Sequence, residues 1–375
     1  FKDSNVVSDL KLRLSYGITG QQDIPDPNGY LEKYDLGGGN SQYQFGNAYF
    51  PIALPSKRTK NLKWEETVSY NAGLDFGVFN NVITGAVDVF YKEAKDLLVN
   101  AAISDGSNFS NRVYQNVGSF TTKGIEFTLN ASPIKTENFN WNINFNASKF
   151  ERRIKDLVYG TDIYVGDNIA GTGTPGQIFR EGYTPYSFYV YKQLYDTNGK
   201  AIEGAFADLN GDNIKNDSDR YIYNNPDPDV TLGFASTMNY KDIDFSFNLR
   251  ASIGNRIFNA VDASRAQYEA MENGGILSNV PSSILDTNFQ TTSNVLLSDI
   301  YIENASYLKM DNVTLGYTFR KIMNESTSLR MFTGVQNVFV LTKYSGLDPE
   351  ITNNGVDKTI YPRQRTILFG LNLKF

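Results

Sequence analysis

The chain has 375 residues, 41% of them apolar, with 24 Tyr, 25 Phe, no Cys, no His and a formal net charge of −6. Without Cys or His there is no disulfide framework, thiolate or His-ligated zinc site, Ser-His-Asp triad or imidazole base, and the negative balance gives no support to nucleic-acid binding. No apolar run approaches the about 20 residues of a membrane-spanning helix, yet strands can hide a lipid-facing side in alternation, and the aromatic load suits interfacial girdles.

The sequence opens on Phe1 with neither Met nor a signal peptide, which reads as the internal start of a processed or partial chain. Leu10, Leu12, Leu14, Tyr16 and Ile18 alternate with Lys11, Arg13, Ser15 and Gly17. Successive side chains of a strand point to opposite faces, so this is a strand with one apolar and one polar side. Residues 21–61, rich in Gly, Tyr and Asn and containing Gly37-Gly38-Gly39, read as a long loop. Tyr70, Ala72, Leu74, Phe76 and Val78 then alternate with Ser69, Asn71, Gly73, Asp75 and Gly77. Asn80-Asn81 turns the chain into Ile83, Val87, Val89 and Tyr91, opposite Thr84, Asp88 and Lys92, a tight hairpin. A looser loop through 106–111 leads to Ile125, Phe127, Leu129 and Ala131, with Gly124, Glu126, Thr128 and Asn130 behind them. After a short turn over 133–138, Trp141, Ile143, Phe145 and Ala147 oppose Asn142, Asn144 and Asn146. Such an asparagine ladder suits a wet lumen and makes a poor dry core.

Alternation breaks down from about Glu151 to Asp227, a stretch with Gly171-Thr-Gly-Thr-Pro-Gly176 and an aromatic run from Tyr186 to Tyr195. It resumes at Val230, Leu232 and Phe234, turns at Lys241-Asp242, and returns through Ile243, Phe245, Phe247 and Leu249, backed by Asp244, Ser246, Asn248 and Arg250. A second irregular insertion holds the one helix-like stretch, Ala260 to Glu272. The two insertions are placed at 154–228 and 255–299. Val313, Leu315, Tyr317 and Phe319 form a strand that turns near 324–328 and goes back through Leu329, Met331, Thr333 and Val335. The closing strand carries Ile367, Phe369, Leu371, Leu373 and Phe375 on one face.

Connections alternate strictly: short near 80, 135, 241 and 325, long near 40, 105, 190, 280 and 350. Bacterial outer-membrane barrels have short periplasmic turns and long extracellular loops, so the reading is all-β: a transmembrane antiparallel β-barrel contributing about ten strands here. The aromatic run at 186–195 then belongs to an extracellular loop.

Several segments resemble the SusC/RagA-type TonB-dependent transporters of Bacteroidota: Leu10-Lys-Leu-Arg-Leu-Ser-Tyr-Gly17, Trp64-Glu-Glu-Thr67, Asn116-Val-Gly-Ser119 and Lys123-Gly-Ile-Glu126. Further on come Ala305-Ser-Tyr-Leu-Lys309, Leu315-Gly-Tyr-Thr318, Gln336-Asn-Val-Phe339, Asp348-Pro-Glu350 and Tyr361-Pro-Arg-Gln-Arg365. The resemblance runs from end to end and implies a barrel of about 22 strands, of which this chain is the C-terminal part. The plug domain and the TonB-contacting segment are absent from the chain. It also implies a SusD-like surface lipoprotein as partner, TonB engaged through the missing part, membrane lipid around the wall, and the outer membrane of a Gram-negative bacterium as location.

One local motif carries metal chemistry. Counting from Asp208, oxygen ligands fall at Asn210, Asp212, the Ile214 carbonyl, Asn216 and Asp219, the spacing of a calcium loop. Asn213 stands where glycine is usual and Asp219 where a bidentate Glu is usual, so weak calcium binding is one reading and a solvated Asn/Asp turn the other. Tyr186, Tyr189, Tyr191 and Tyr195 fit either stacking on a sugar or peptide, or packing of the loop on itself. Arg13, Asp75, Asp88, Glu126, Asp244 and Arg250 are expected to pair across strands in the lumen; none is given a catalytic role. The resulting expectation is energised import of large polar nutrients, glycans or peptides. A structural subunit of a larger outer-membrane complex is the alternative; a barrel enzyme and a passive porin are weaker competitors.

Overall fold

Each alternating stretch forms a strand in the computed structural model of the chain, which describes all residues except 1–5, 24–27, 32, 37–41, 56, 60–61, 104–111, 117, 158–159, 169–174, 274, 324, 352–353 and 359–360. The Gly37–Gly39 run, the loop over 106–111, residues 171–174 and Asn324 thus lie outside the described residues. The strands are β1 (Val7–Gln21), β2 (Glu65–Val78), β3 (Ile83–Lys95), β4 (Ser119–Lys135), β5 (Phe139–Asp156), β6 (Val230–Tyr240), β7 (Ile243–Ile253), β8 (Tyr307–Arg320), β9 (Ser328–Thr342) and β10 (Thr366–Lys374). They form one ten-stranded antiparallel sheet in which sequence neighbours are sheet neighbours. The connections at 79–82, 136–138, 241–242 and 321–327 share one end, and the long ones at 22–64, 96–118, 157–229, 254–306 and 343–365 share the other.

The two faces follow the alternation. Leu12, Leu14, Phe369 and Leu371 stand outward, Leu14 74% and Phe369 83% exposed, an arrangement no water-facing sheet tolerates over so many strands. Aromatic pairs mark both ends of this outer band: Phe139 with Tyr240 and Tyr317 with Phe319 near the short turns, and Tyr16 with Tyr70 and Tyr91 near the loops. The tight turns need left-handed backbone, supplied by Phe79, Asn80 and Asn81 (φ 54°, 55° and 62°) and by Lys241 (φ 52°). A bulge at Asp311 inserts one residue in β8, so Leu308 and Met310 before it share the outer face with Val313 and Leu315 after it.

The long loops build a folded cap rather than separate insertions. Pro175–Phe179, Ser187–Tyr191 and Arg220–Ile222 join Ile163–Asn168 in a four-stranded sheet. Phe188 and Val190 of that sheet share one buried cluster with Phe258, Phe289, Val295 and Val356, residues drawn from three different loops. The helix-like stretch is shorter than its pattern predicts. Only α1 (Ala260–Arg265) is α-helical; Gln267 is extended (φ −133°), Tyr268–Met271 is a 3-10 turn and Glu272 is back in a strand. Two further helices, α2 (Ile284–Thr287) and α3 (Thr292–Val295), carry too few residues to show a period.

Candidate functional site

The lumen face carries two charged devices built the same way. Arg13, Gly73 and Asp88 lie in one cross-strand row over β1, β2 and β3. The Arg13 guanidinium crosses above Gly73, donating to Asp75 Oδ1 at 2.8 Å and to Asp88 Oδ2 at 2.9 Å. A Cβ at Gly73 would come within 2.7 Å of Arg13 Nη2, and closer still to Asp88, so glycine makes the room for the pair. On the other flank Arg330 binds Asp244 in a two-pronged contact (Nε–Oδ1 2.7 Å, Nη2–Oδ2 2.5 Å) over Gly316, where a Cβ would meet Arg330 at 2.7 Å. Between these flanks the wall carries amide and hydroxyl pairs: Asn144 donates to Asn130 (2.6 Å), Ser132 to Asn142 (2.7 Å), and Asn248 to Asn312 (3.3 Å). Of the expected lumen pairs, those of Arg13, Asp75, Asp88, Asp244 and Arg250 form. Glu126 does not: it faces Asp88 across the strands and has no cationic partner among the described residues.

A third group gathers at the loop end of β7 and β8. Glu350 takes Lys309 and Arg363 as ion partners, accepts from Tyr307 Oη at 3.1 Å, and lies 2.9 Å from Arg250 Nη1. Arg250 also grips Asp311, with Nη2–Oδ1 at 2.8 Å, and Arg363 Nε reaches Asp348 at 3.3 Å. The side chains of Lys309 and Glu350 are only 4% and 10% exposed, so this pair is the desolvated centre of a knot whose Arg250 and Arg363 stay half-exposed, neutral overall with three cations and three carboxylates. Desolvation alone would raise the Glu350 pKa; Lys309, Arg250 and Arg363 override it and hold the carboxyl below its ordinary value. Asn337, left-handed at φ 52°, donates to the Arg363 carbonyl at 2.8 Å. A cleft of about 630 Å³ opens beside the knot between Lys309, Asp311, Asn337 and Arg363.

The sequence motifs converge on these places. Tyr307 and Lys309, Asp348 and Glu350, Asn337, and Arg363 belong to four separate motifs and make one knot. Gly316 and Arg13 of two others sit in the lumen devices. Glu65 accepts from Leu98 N (2.7 Å), and the Asn116 amide clamps Lys63 (2.9 Å to both N and O) and the Asp96 carbonyl (2.7 Å), fastening loops to β2 and β3. The motifs are joinery of the wall and mouth, a role one-dimensional spacing does not reveal.

In the cap, Tyr189 and Tyr191 are 7% and 8% exposed and Tyr186 is half-buried, which is packing of the loop on itself; only Tyr195 is open to solvent. Tyr221 Oη donates to Asp299 at 2.6 Å, and burial together with that carboxylate pushes its pKa well up. In the acidic loop Asn213 adopts the left-handed turn (φ 58°) that the calcium spacing demands. The oxygens, however, face the loop's own amides. Asp208 accepts from Gly211 N (2.6 Å) and Asn213 N (2.8 Å), Asn210 from Asp212 N (3.0 Å), and Asp212 from Ile214 N (2.7 Å). Asp219 accepts from Leu209 N (3.0 Å) and Asn216 N (2.9 Å), and the Ile214 carbonyl from the Asn216 amide (3.1 Å). The Ile214 amide, then the Asn210 side chain, hold the Asp212 carboxyl below its usual pKa. Among the described residues no group of three or more carboxylates stands placed to hold a metal ion. The donor type and the turn fit calcium; convergence of Asp208, Asp212 and Asp219 would require these side chains to swing inward.

Residues 5–338 match the family described as TonB dependent receptor-like, beta-barrel. TonB-dependent receptor SusC of Bacteroides thetaiotaomicron is 42% identical over 389 residues, covering 100% of this chain and 38% of that protein. A TonB-dependent receptor of Formosa agariphila is 30% identical over 415 residues, covering 100% of the chain and 40% of its own length. The chain therefore spans about two fifths of the curated relatives it matches. The solved structure of the RagAB peptide transporter superposes with a TM-score of 0.80 at 22% identity, covering 100% of this chain and 42% of that one, a likeness of fold. From its strand order and this family match, the chain belongs to the TonB-dependent receptor-like β-barrel family.

Proposed function

We propose that this chain forms ten strands of the barrel of an outer-membrane, TonB-dependent importer of large polar solutes, glycans or peptides, working with a SusD-like surface lipoprotein. The observation that supports it most is the two-faced wall: an apolar band outside, a lumen of amides, hydroxyls and pre-paired charges inside, and every short turn at one end. β1 and β10 each have a strand neighbour on one side only among the described residues, which fits a larger barrel of about 22 strands. A barrel of that width needs a plug between transport events. The family is one of receptors, and the lumen pairs are mutually satisfied rather than poised for acid–base work. The test is growth of the source organism on candidate polymers with the TonB-contacting segment of the full gene deleted. Lost uptake is the expected result; undiminished uptake overturns energised import. If no polymer is taken up and deletion of the gene disturbs other outer-membrane proteins instead, the chain is a structural subunit.

We also propose that the acidic loop closes weakly on calcium, in the millimolar range of extracellular modules, through Asp208, Asn210, Asp212, the Ile214 carbonyl and Asp219. The left-handed Asn213 supports it. Chelator should speed proteolysis over 206–223, and Asp212→Ala should do the same with calcium present; no effect of either leaves a plain Asn/Asp turn.

A further inference from the structure

The outward side of β3, β4 and β5 changes character abruptly at its loop end. Up to Val87, Val89, Ile125, Phe127 and Phe145 it is apolar, and Tyr16, Tyr70 and Tyr91 form one cross-strand row with ring centroids 5.2 and 6.5 Å apart. From Ile83 to Tyr91 the strand rises roughly 26 Å at about 3.3 Å per residue, near the height of an outer-membrane apolar band. The next member of the tyrosine row is Lys123, opposite Tyr91. Lys149 lies one pair deeper, opposite Ile125. Arg153, Lys155 and Lys95 complete the patch.

These side chains face outward. On the same strands the opposite parity is covered by the cap, with Ala94 7% and Ile154 1% exposed, while the side chains of Lys123, Arg153 and Lys155 are 64%, 58% and 52% exposed. Five cations meet only three carboxylates. Glu151 pairs with Lys123 at 3.0 Å and Arg153 at 2.5 Å, and Glu93 with Lys155 at 2.7 Å. Glu66 lies across from Lys95 in register but makes no ion pair among the described residues. Lys95 and Lys149 are without an ion partner among the described residues. Nor is the patch a general feature of the rim. On the following strands the outward pair Val230 and Ile253 and, one row nearer the short turns, Leu232, Ala251, Leu308 and Leu341 are all apolar.

We propose that this patch is a binding site for the phosphate-bearing headgroup of an anionic lipid in the leaflet on the loop side. Its acyl chains lie along Val87, Val89, Ile125 and Phe127. A cation one pair below the tyrosine row suits a phosphate at the interface, because a lysine there lays its stem on apolar surface and lifts its charge to the headgroup level. A soluble anion has no use for the apolar columns below, and a neutral lipid has none for the excess charge. The inference rests on the membrane location proposed above.

The test uses the full-length receptor in neutral detergent, with native mass spectrometry of bound phosphatidic acid, diacylglycerol of the same chains, and inorganic phosphate. Phosphatidic acid should be retained over both others. Lys123→Gln/Lys149→Gln/Arg153→Gln should weaken its binding about ten-fold or more, and Lys149→Gln alone about three-fold. Lys321→Gln, near the short turns, should leave it unchanged. Heat-modifiable gel mobility reports folding; if the triple variant does not fold, the single variant decides. Equal retention by wild type and variants, or of diacylglycerol and phosphatidic acid, overturns the site while leaving the membrane reading intact. Binding of inorganic phosphate without lipid also overturns it. Retention of no lipid of either kind counts against the membrane reading itself.

Discussion

The wall and the cap of this molecule are built on opposite solvation rules. The wall keeps its large apolar side chains outside, as with Leu14 and Phe369, and its polar rows inside. The cap keeps Phe188, Phe258 and Phe289 inside, at 0%, 1% and 1% exposure, as a water-soluble fold does. One chain leaves the wall for this buried core in three of its long connections, 157–229, 254–306 and 343–365. Two regions with different stabilising forces therefore share one polypeptide.

Removing a cap anchor separates them most sharply. Phe258→Ala should cost about 3–5 kcal/mol where the side chain was fully packed. Proteolysis within 157–229 and 254–306 should accelerate while the heat-modifiable mobility of the wall is kept. Loss of that mobility would mean wall and cap fold as one unit. The knot joining them comes next. Glu350→Gln leaves Lys309 and its neighbours without their carboxylate in a desolvated place, a loss of about 2–4 kcal/mol. Hydrogen exchange should rise in 343–365 and in the loop ends of β8 and β9, with β1 to β3 unaffected; uniform change across the sheet would dissolve the knot's local role. The smallest of these effects lies in the wall. Gly73→Val must displace Arg13 and Asp88 and should cost about 1–3 kcal/mol by overpacking, read as a lower urea midpoint. Arg13→Gln should shift that midpoint far less, since half-exposed ion pairs contribute little; equal shifts would make the charge pair, not the room beneath it, the important feature.

The same contrast explains what the sequence made legible. Wall strands alternate with period two over 9 to 18 residues, so each strand, its faces and the ends bearing short turns follow from residues such as Leu10 to Ile18 or Ile367 to Phe375. The cap core is assembled from Phe188, Phe258, Phe289 and Val356, far apart in the chain and carried on segments too short for a period. Nothing local says that two insertions share one core, or that the aromatic run at 186–195 turns inward. The knot hides for the same reason: Lys309, Glu350 and Arg363 look like ordinary surface charges until the register brings them together. Glu126 fails the pairing rule because its row neighbour is another carboxylate, Asp88, and the cation of that row, Arg13, is already held by Asp75 and Asp88. The outward cations of β5 are missed because the apolar alternation ends near Glu151, whereas the strand runs on to Asp156 with Lys149, Glu151 and Arg153 continuing the parity of Ile143 and Phe145.

The central claim is the wall's orientation in a membrane, with short turns on one side and the cap on the other. It is tested most directly by epitope insertion in the full-length protein on intact cells. One epitope goes into the exposed turn at 197–199 of the cap, the other at Asn80 between β2 and β3. The account predicts that antibody labels the first on intact cells and the second only after the envelope is opened. Labelling of Asn80 but not of the cap turn on intact cells would contradict it.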